Sequence, residues 1–94
     1  MQHVLVRLKV EDYAKWRPVF DEVAGLRKTF GSKGGRLFQK SDNPNEVAIL
    51  FEWESLEKAR QYFQSGELRQ AMQRAGVSGP PDVQYLNEIE KVPV

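Results

Sequence analysis

The feature that most constrains this chain is a two-residue alternation that leaves apolar side chains on both sides of its extended segments. From His3 to Val10, one side carries Val4, Val6, Leu8 and Val10, and the other carries Leu5, Arg7 and Lys9. Alternation of this period predicts a β-strand, because successive side chains point to opposite faces of a sheet. A second run, from Val47 to Glu54, repeats the pattern. The pattern therefore predicts a sheet with apolar side chains on both faces, each of which must be covered by another part of the chain or by another molecule.

A helical segment follows the first strand. Asp12 is suited to cap it, and apolar or aromatic positions then recur every three or four residues: Tyr13, Trp16, Phe20, Val23, Arg27 and Phe30. Pro18 lies inside this pattern, which predicts either a kink there or a separate turn from Tyr13 to Trp16. Gly31 is expected to end the helix in a left-handed conformation, and Gly34 and Gly35 to turn the chain back.

The second half of the chain predicts a hairpin, two short helices and a last strand. The hairpin joins residues 36–41 to residues 47–54 through the polar turn 42–45. A helical segment begins at Ser55, but its apolar face changes phase at Ser65 and Gly66, so we expect two helices with Ser65 capping the second. Gly79, Pro80 and Pro81 stop further helix, and residues 82–92 are predicted to form the last strand.

The order of these elements, βαββαβ, predicts an α+β fold. With 94 residues and a mass of 10.8 kDa, the chain is expected to form a single domain over residues 1–94. Right-handed crossovers place both helical segments on one face of a four-stranded antiparallel sheet in the order 4-1-3-2, the ferredoxin-like arrangement. The helix-covered face is expected to hold Val4, Val6, Leu8, Val47, Ile49, Phe51, Val83, Tyr85 and Ile89.

Composition narrows the functional classes. There is no cysteine and only one histidine, so we predict no disulfide, no thiol nucleophile and no metal site. We also expect no bound cofactor. A net charge of +1 does not favour nucleic acid binding. No apolar stretch approaches the roughly 20 residues of a membrane span and no signal segment is visible, so the expected location is the cytoplasm.

The face of the predicted sheet away from the helices combines leucines with charges. It is expected to carry Leu5, Arg7, Lys9, Leu50, Glu52, Glu54, Leu86, Glu88 and Glu90. Clustered leucines beside charges of opposite sign are typical of an interface with a polar rim, so we predict a homodimer through Leu5, Arg7, Leu50, Glu52, Leu86 and Glu88, with Arg7 and Lys9 paired to the glutamates. The alternative is a monomer with scattered surface leucines.

The chain resembles the dimeric α+β barrel superfamily over nearly its whole length. The resemblance is carried by residues 6–20 (VRLKVEDYAKWRPVF), 42–59 (DNPNEVAILFEWESLEKA) and 76–81 (GVSGPP). This superfamily includes antibiotic-biosynthesis monooxygenases, haem-degrading enzymes, polyketide cyclases and small uncharacterised members. The resemblance implies two ferredoxin-like subunits joined sheet to sheet and a ligand pocket between sheet and helices. The haem-binding members of the superfamily carry their ligating histidine on a helix. No predicted helix of this chain has a histidine, so haem degradation is disfavoured.

Five residues are the candidate ligand-binding set: Trp16, Phe20, Trp53, Tyr85 and Asn87. Tryptophan walls suit planar ligands, but an aromatic core is the favoured explanation of both Trp16 and Trp53. Asn87 alternates with Tyr85 and Ile89, so its amide is expected to be buried under the helices, where it would orient a ligand carbonyl or else tie down a helix end.

The candidate catalytic residues are Asn87, Trp53 and His3. His3 lies on the leucine-bearing face, where a histidine can act as acid or base or simply be solvated. The basic run of Arg27, Lys28, Lys33, Arg36 and Lys40 is interpreted as solvated surface.

Two functions are left open. The first is a small-molecule-binding dimeric barrel protein, a cofactor-independent monooxygenase or cyclase-like enzyme for an aromatic or apolar substrate. The second is a non-catalytic binding or stress-related module with a filled core. A cavity above ~300 Å³ lined by Trp53, Tyr85 and Asn87 would favour the first, and a filled core would contradict it.

Overall fold

The structure is a computed structural model that describes residues 2–94. It contains four strands and four helices. The strands are β1 (Gln2–Val10), β2 (Ser32–Lys40), β3 (Asn43–Trp53) and β4 (Val77–Asn87), and the helices are α1 (Tyr13–Glu22), α2 (Ala24–Thr29), α3 (Leu56–Phe63) and α4 (Gly66–Arg74). None of the helices in the described part of the chain is long and apolar enough to cross a membrane.

The four strands form one antiparallel sheet in the order β2-β3-β1-β4. Read from the other edge this is 4-1-3-2, so the ferredoxin-like prediction is confirmed. In the centre of the sheet, Val6 lies opposite Ile49 on β3 and opposite Val83 on β4. Because the register places like side chains together, the alternation read from the sequence becomes two continuous faces.

Capping side chains fix where three of the helices, α1, α3 and α4, begin. The Asp12 carboxylate accepts a hydrogen bond from the Ala14 backbone N–H at 3.0 Å, and Asn45 Oδ1 accepts one from the Tyr13 N–H at 3.0 Å. The hydroxyls of Ser55 and Ser65 accept bonds from the N–H groups three residues later, at the starts of α3 and α4. Since Asn45 belongs to β3, it fastens the start of α1 directly to the sheet.

The first helical segment differs from its prediction. Helix α1 continues through Pro18 and ends at Glu22, and the break falls at Val23. Pro18 therefore neither splits the segment nor leaves a separate first turn. The predicted left-handed glycine at its end is confirmed, because Gly31 has φ = 100° immediately after α2 and Phe30.

The strands β2 and β4 also differ from their predicted bounds. Gly34 and Gly35 lie within β2 rather than in a turn, and a Cβ on Gly35 would stand 2.5 Å from the Leu50 carbonyl oxygen. Strand β4 begins before the two prolines, which an edge strand tolerates, and ends at Asn87. Ile89, expected under the helices, lies beyond the strand and is 93% exposed.

The helices cover one face of the sheet. Its buried residues include Val4, Val6, Val47, Ile49, Phe51 and Trp53. The opposite face, called the outer sheet face below, carries Leu5, Arg7, Leu50, Glu52 and Leu86. The predicted ion pairs on this face are wrong in their partners: Arg7 pairs with Asp82 at 2.6 Å and Lys9 lies 3.7 Å from Glu46.

Candidate functional site

A cavity of about 50 Å³ lies between the helices and the sheet. Trp16 and Phe20 of α1 form part of its wall, with Phe51 of the sheet and Tyr62 and Met72 of the second helical pair. The rings of Trp16 and Phe20 are stacked with their centroids 4.8 Å apart. We call this space the Arg27 cavity, because Arg27 is the charged side chain in its wall.

Arg27 is buried although it carries a positive charge. It is 9% exposed, and its guanidinium carbon lies 3.9 Å from the centroid of the Phe20 ring and 5.7 Å from that of Phe51. One of its N–H groups donates to the Phe20 carbonyl oxygen at 2.8 Å, at the C-terminal end of α1. Cation–π contacts and a helix end are both favourable surroundings for a guanidinium.

No carboxylate neutralises Arg27 among residues 2–94. The acids nearest to it along the chain have other partners: Asp21 pairs with Arg17, and Glu22 accepts from Arg74 at 2.9 Å. Those pairs lie on the exposed side of α1, whereas Arg27 points inward. The cavity wall therefore includes a cationic side chain that is largely buried.

Tyr62 is the hydroxyl-bearing side chain of the cavity wall. It is 2% exposed, and burial raises the pKa of its phenol, while the nearby positive charge and hydrogen bonding of Arg27 act in the opposite direction. Tyr62 is therefore protonated at neutral pH and can act as a hydrogen-bond donor. A proton acceptor for catalysis would have to come from another group.

The structure brings together only part of the candidate ligand-binding set. Trp16 and Phe20 line the cavity. Trp53 is fully buried one ring behind it, with its centroid 5.3 Å from that of Tyr62, and its indole N–H donates to the Phe30 carbonyl oxygen at 2.8 Å. Tyr85 lies apart, under the guanidinium of Arg60 at 4.6 Å.

Asn87 is exposed, so its expected burial is wrong. The strand register explains why. Asn87 lies opposite Gln2, on the helix side of the sheet as alternation predicts, but it is the last residue of β4, which is an edge strand. An exposed amide has water as a partner and needs no ligand.

His3 lies on the outer sheet face, away from the Arg27 cavity. Its Nε2 is 3.2 Å from a carboxylate oxygen of Glu88, and its Nδ1 is buried with no hydrogen-bond partner in the described chain. Within residues 2–94, no three His, Cys, Asp or Glu side chains gather as a metal site would require.

The volume of the Arg27 cavity falls well short of the ~300 Å³ that would favour a ligand-binding site. A cavity of roughly 150 Å³ accommodates benzene, so about 50 Å³ is too small for an aromatic ring unless wall side chains move. A larger groove, of about 690 Å³, lies along the outer sheet face beside Arg7, Lys9, Phe38 and Asp82.

Comparison with known proteins decides the family. The sequence profile of the antibiotic biosynthesis monooxygenases (ABM) matches residues 1–74. The chain belongs to the ABM family. None of the curated proteins matches this sequence. The ABM match covers β1 through α4, so it includes every element that lines the Arg27 cavity apart from β4.

Solved structures share the ABM fold with this chain at low sequence identity. A protein from Bordetella bronchiseptica assigned to the antibiotic biosynthesis monooxygenases superposes with a TM-score of 0.79 at 15% identity, covering 95% of this chain and 97% of its own. SnoaB from Streptomyces nogalater, a cofactor-independent oxygenase, gives 0.78 at 14%, covering 99% and 97%. A protein from Caulobacter crescentus with the same family assignment gives 0.73 at 20%, covering 95% and 90%.

Two residues of this ABM cavity were missed by the sequence reasoning. Arg27 was grouped with the solvated basic run, although it also occupies an apolar position of the first helical segment, four residues after Val23. Tyr62 follows Ala59 by three residues and so shares its buried helix face. The helical period was the signal in both cases.

Proposed function

We propose that this ABM protein binds a small aromatic or apolar molecule in the Arg27 cavity and oxygenates it without a cofactor. The observation that carries the proposal is the cavity wall, which combines the rings of Trp16, Phe20 and Phe51 with one buried cation. Flat aromatic walls favour a planar ligand. The oxygenase activity of SnoaB, which has the same fold, supports the reaction class.

Such a reaction draws its electrons from the substrate. An acidic methylene next to an aromatic ring gives up a proton to solvent, and the resulting carbanion transfers an electron to dioxygen. The radical pair combines into a peroxide anion, which takes up a proton to form a hydroperoxide. The hydroperoxide loses water and leaves a carbonyl group. One oxygen atom ends in the product and the other in water, so the four electrons that reduce dioxygen all come from the carbon being oxidised. The protein's part is to hold the ring and shield the carbanion from water.

Binding requires the cavity to widen. Phe20 and Met72 in its wall are half-buried, and α1 is separated from α2 by the break at Val23. Methionine has an unbranched, flexible side chain that adapts to irregular space. Displacement of these side chains would open the cavity without disturbing the sheet.

The two tryptophans provide the test. Trp16 lines the cavity and Trp53 lies behind it, so each indole N–H resonance in a nuclear magnetic resonance spectrum reports on a different place. A panel of hydroxylated aromatic compounds should contain members that shift the Trp16 resonance more than that of Trp53. Those members should consume dioxygen, measured with an oxygen electrode, and yield a product carrying one atom of isotopically labelled dioxygen. A panel that shifts the Trp53 resonance alone would contradict the proposed site.

The small volume of the cavity favours a second candidate, a non-catalytic module whose core is filled by its own side chains. This candidate predicts that no compound of the panel shifts the Trp16 resonance and that dioxygen consumption equals that of the buffer. The same experiment therefore separates the two candidates.

We also propose a homodimer formed through the outer sheet face. Leu5 lies opposite Leu50, and Leu86 is 37% exposed beside them, so three leucines meet on an uncovered face. Burying roughly 150 Å² of leucine surface provides only a few kcal/mol per subunit at ~25 cal/mol/Å², so further contacts are needed. The exposed side chains of Phe38, Ile89 and Val92 supply additional apolar surface. In this proposal the groove beside Arg7 belongs to the interface.

A further inference from the structure

No opposite charge pairs with the buried guanidinium of Arg27 among residues 2–94. Its guanidinium lies over the face of Phe20 and near that of Phe51, which satisfies the flat side of the group. The N–H groups point outward from the edge of that plane, and a guanidinium has five of them. Phe20 provides a carbonyl oxygen for one, and the Tyr62 phenol is a further hydrogen-bonding neighbour. The remaining donors have no carboxylate partner among the ion pairs of residues 2–94.

A structural role accounts for only part of this arrangement. Arg27 stabilises the end of α1 by bonding the Phe20 carbonyl, and a lysine or a water molecule would serve that carbonyl as well. Burying a full charge without an opposite charge is costly, and natural interiors normally pair or expose it. The neighbouring Lys28 on the same helix shows the ordinary solution, because it is exposed.

The cavity offers an anionic ligand two kinds of donor. The forked guanidinium matches the two oxygens of a carboxylate, and the protonated phenol of Tyr62 lies beside it in the same wall. The aromatic side chains of the wall would pack against the ring of such a ligand. No acidic residue lines the cavity, so none would repel the ligand's negative charge. An aromatic molecule with an ionised oxygen group at one edge would satisfy both halves of the site.

We propose that the ligand enters the Arg27 cavity as an aromatic anion, with its carboxylate or equivalent ionised oxygen held by Arg27. This inference rests on the proposed function, because it names the chemical class of the molecule that the same cavity binds. Arg27 then determines specificity: it selects the anion and orients the ring within the aromatic wall of the cavity.

Three small probes test the inference at neutral pH. Benzoate has the ring and the charge, benzamide has the ring alone, and acetate has the charge alone. Affinities are measured from the shifts of the Trp16 indole resonance, which also confirms where each probe binds. The full chain should bind benzoate about ten- to a hundredfold more tightly than benzamide, as a charge-assisted hydrogen-bonded pair implies, and acetate weakly.

The variant Arg27→Gln should bring the benzoate-to-benzamide ratio close to one, while Arg27→Lys should keep part of it. The matched control is Lys28→Gln, which removes the same charge from an exposed position of the same helix and should leave the ratio unchanged. Charge preference is the decisive quantity, because a purely structural Arg27 would alter stability but not the ratio. Should Arg27→Gln fail to fold, the Arg27 side-chain N–H resonance of the unaltered protein must still shift with benzoate and not with benzamide.

The outcomes distinguish this inference from the proposed function. Equal binding of benzoate and benzamide at the Trp16 side would overturn the anion inference and leave an aromatic-binding cavity standing. A preference for benzoate that survives Arg27→Gln would overturn it too. If none of the three probes shifts the Trp16 resonance, both the inference and the aromatic cavity are wrong.

Discussion

The indole N–H of Trp53 donates a hydrogen bond of 2.8 Å to the carbonyl oxygen of Phe30. This bond joins the last residue of β3 to the residue that follows α2, so it holds the short helix carrying Arg27 against the sheet. Trp53 is 2% exposed and packs on Tyr62 rather than on the cavity. We infer that Trp53 positions the wall of the site and does not contact the ligand.

Replacing Trp53 by Phe should therefore affect stability more than binding. The change removes the only donor that Trp53 offers and leaves the Phe30 carbonyl without it, which should lower the free energy of unfolding by about 1–3 kcal/mol. Urea denaturation measures this loss. The affinity for benzoate should stay within about twofold of the original value, since the charged group is untouched.

Trp16→Phe is the matched control, because it alters a ring that lines the cavity. It should weaken aromatic binding at a smaller cost in stability. If Trp53→Phe instead abolished binding while the protein remained folded, Trp53 would belong to the site, as the sequence reasoning suggested.

The sequence could predict the fold because alternation and helical period are local signals that the packing obeys. The register pairs Leu5 with Leu50 and Val4 with Phe51, as the alternating pattern requires. The serine caps at Ser55 and Ser65 were equally readable. Each of these depends on neighbours within a few residues or on a face of fixed period.

The site was harder to predict because burial depends on how far a neighbouring layer extends. Alternation gave the correct side of the sheet for Asn87 but not its exposure at the last residue of an edge strand. For Arg27, the charge suggested solvent, whereas the helical period placed it inward. The helical period indicated the correct, buried position of Arg27. Burial of the guanidinium is tolerable because the Phe20 ring and carbonyl contact it.

Widening the cavity should increase its affinity for aromatic ligands. Met72 lines the cavity and is half-buried, so Met72→Ala would enlarge the space without removing Arg27 or an aromatic wall. We expect tighter binding of a bicyclic aromatic carboxylate, by about tenfold, and a loss of unfolding free energy of about 1–2 kcal/mol. Calorimetric titration measures the first effect and urea denaturation the second.

The control for this variant is Met72→Leu, which conserves the volume and should leave both quantities nearly unchanged. Weaker binding by Met72→Ala than by Met72→Leu would mean that cavity size does not limit entry, and that the ligand binds elsewhere.

Stability should fall at alkaline pH because of Tyr62. Burial raises the pKa of Tyr62 in the folded chain above its unfolded value near 10, so the folded state retains a proton that the unfolded state releases. The stabilisation from protonated Tyr62 is complete below about pH 10 and is lost as the pH rises through the folded pKa. Urea midpoints should therefore decline above about pH 10.

Tyr62→Phe should flatten this decline, since phenylalanine has no proton to lose. Tyr85→Phe should flatten it too, because burial also raises the pKa of Tyr85. Parallel declines in the original protein and in Tyr62→Phe would show that Tyr62 ionises equally in both states and is not desolvated.

The leucines of the outer sheet face predict that the protein is a homodimer in solution. Sedimentation at micromolar concentration should give twice the 10.8 kDa of the chain. Leu5 lies opposite Leu50 at the centre of that face, so Leu5→Asp would place a carboxylate among the leucines and should reduce the mass to that of one chain. Ala14→Asp adds the same charge on the exposed side of α1 and should leave the dimer intact. A mass of one chain for the unaltered protein would contradict the interface, but the Arg27 cavity would be unaffected, because its lining comes from the opposite side of the sheet and from the helices.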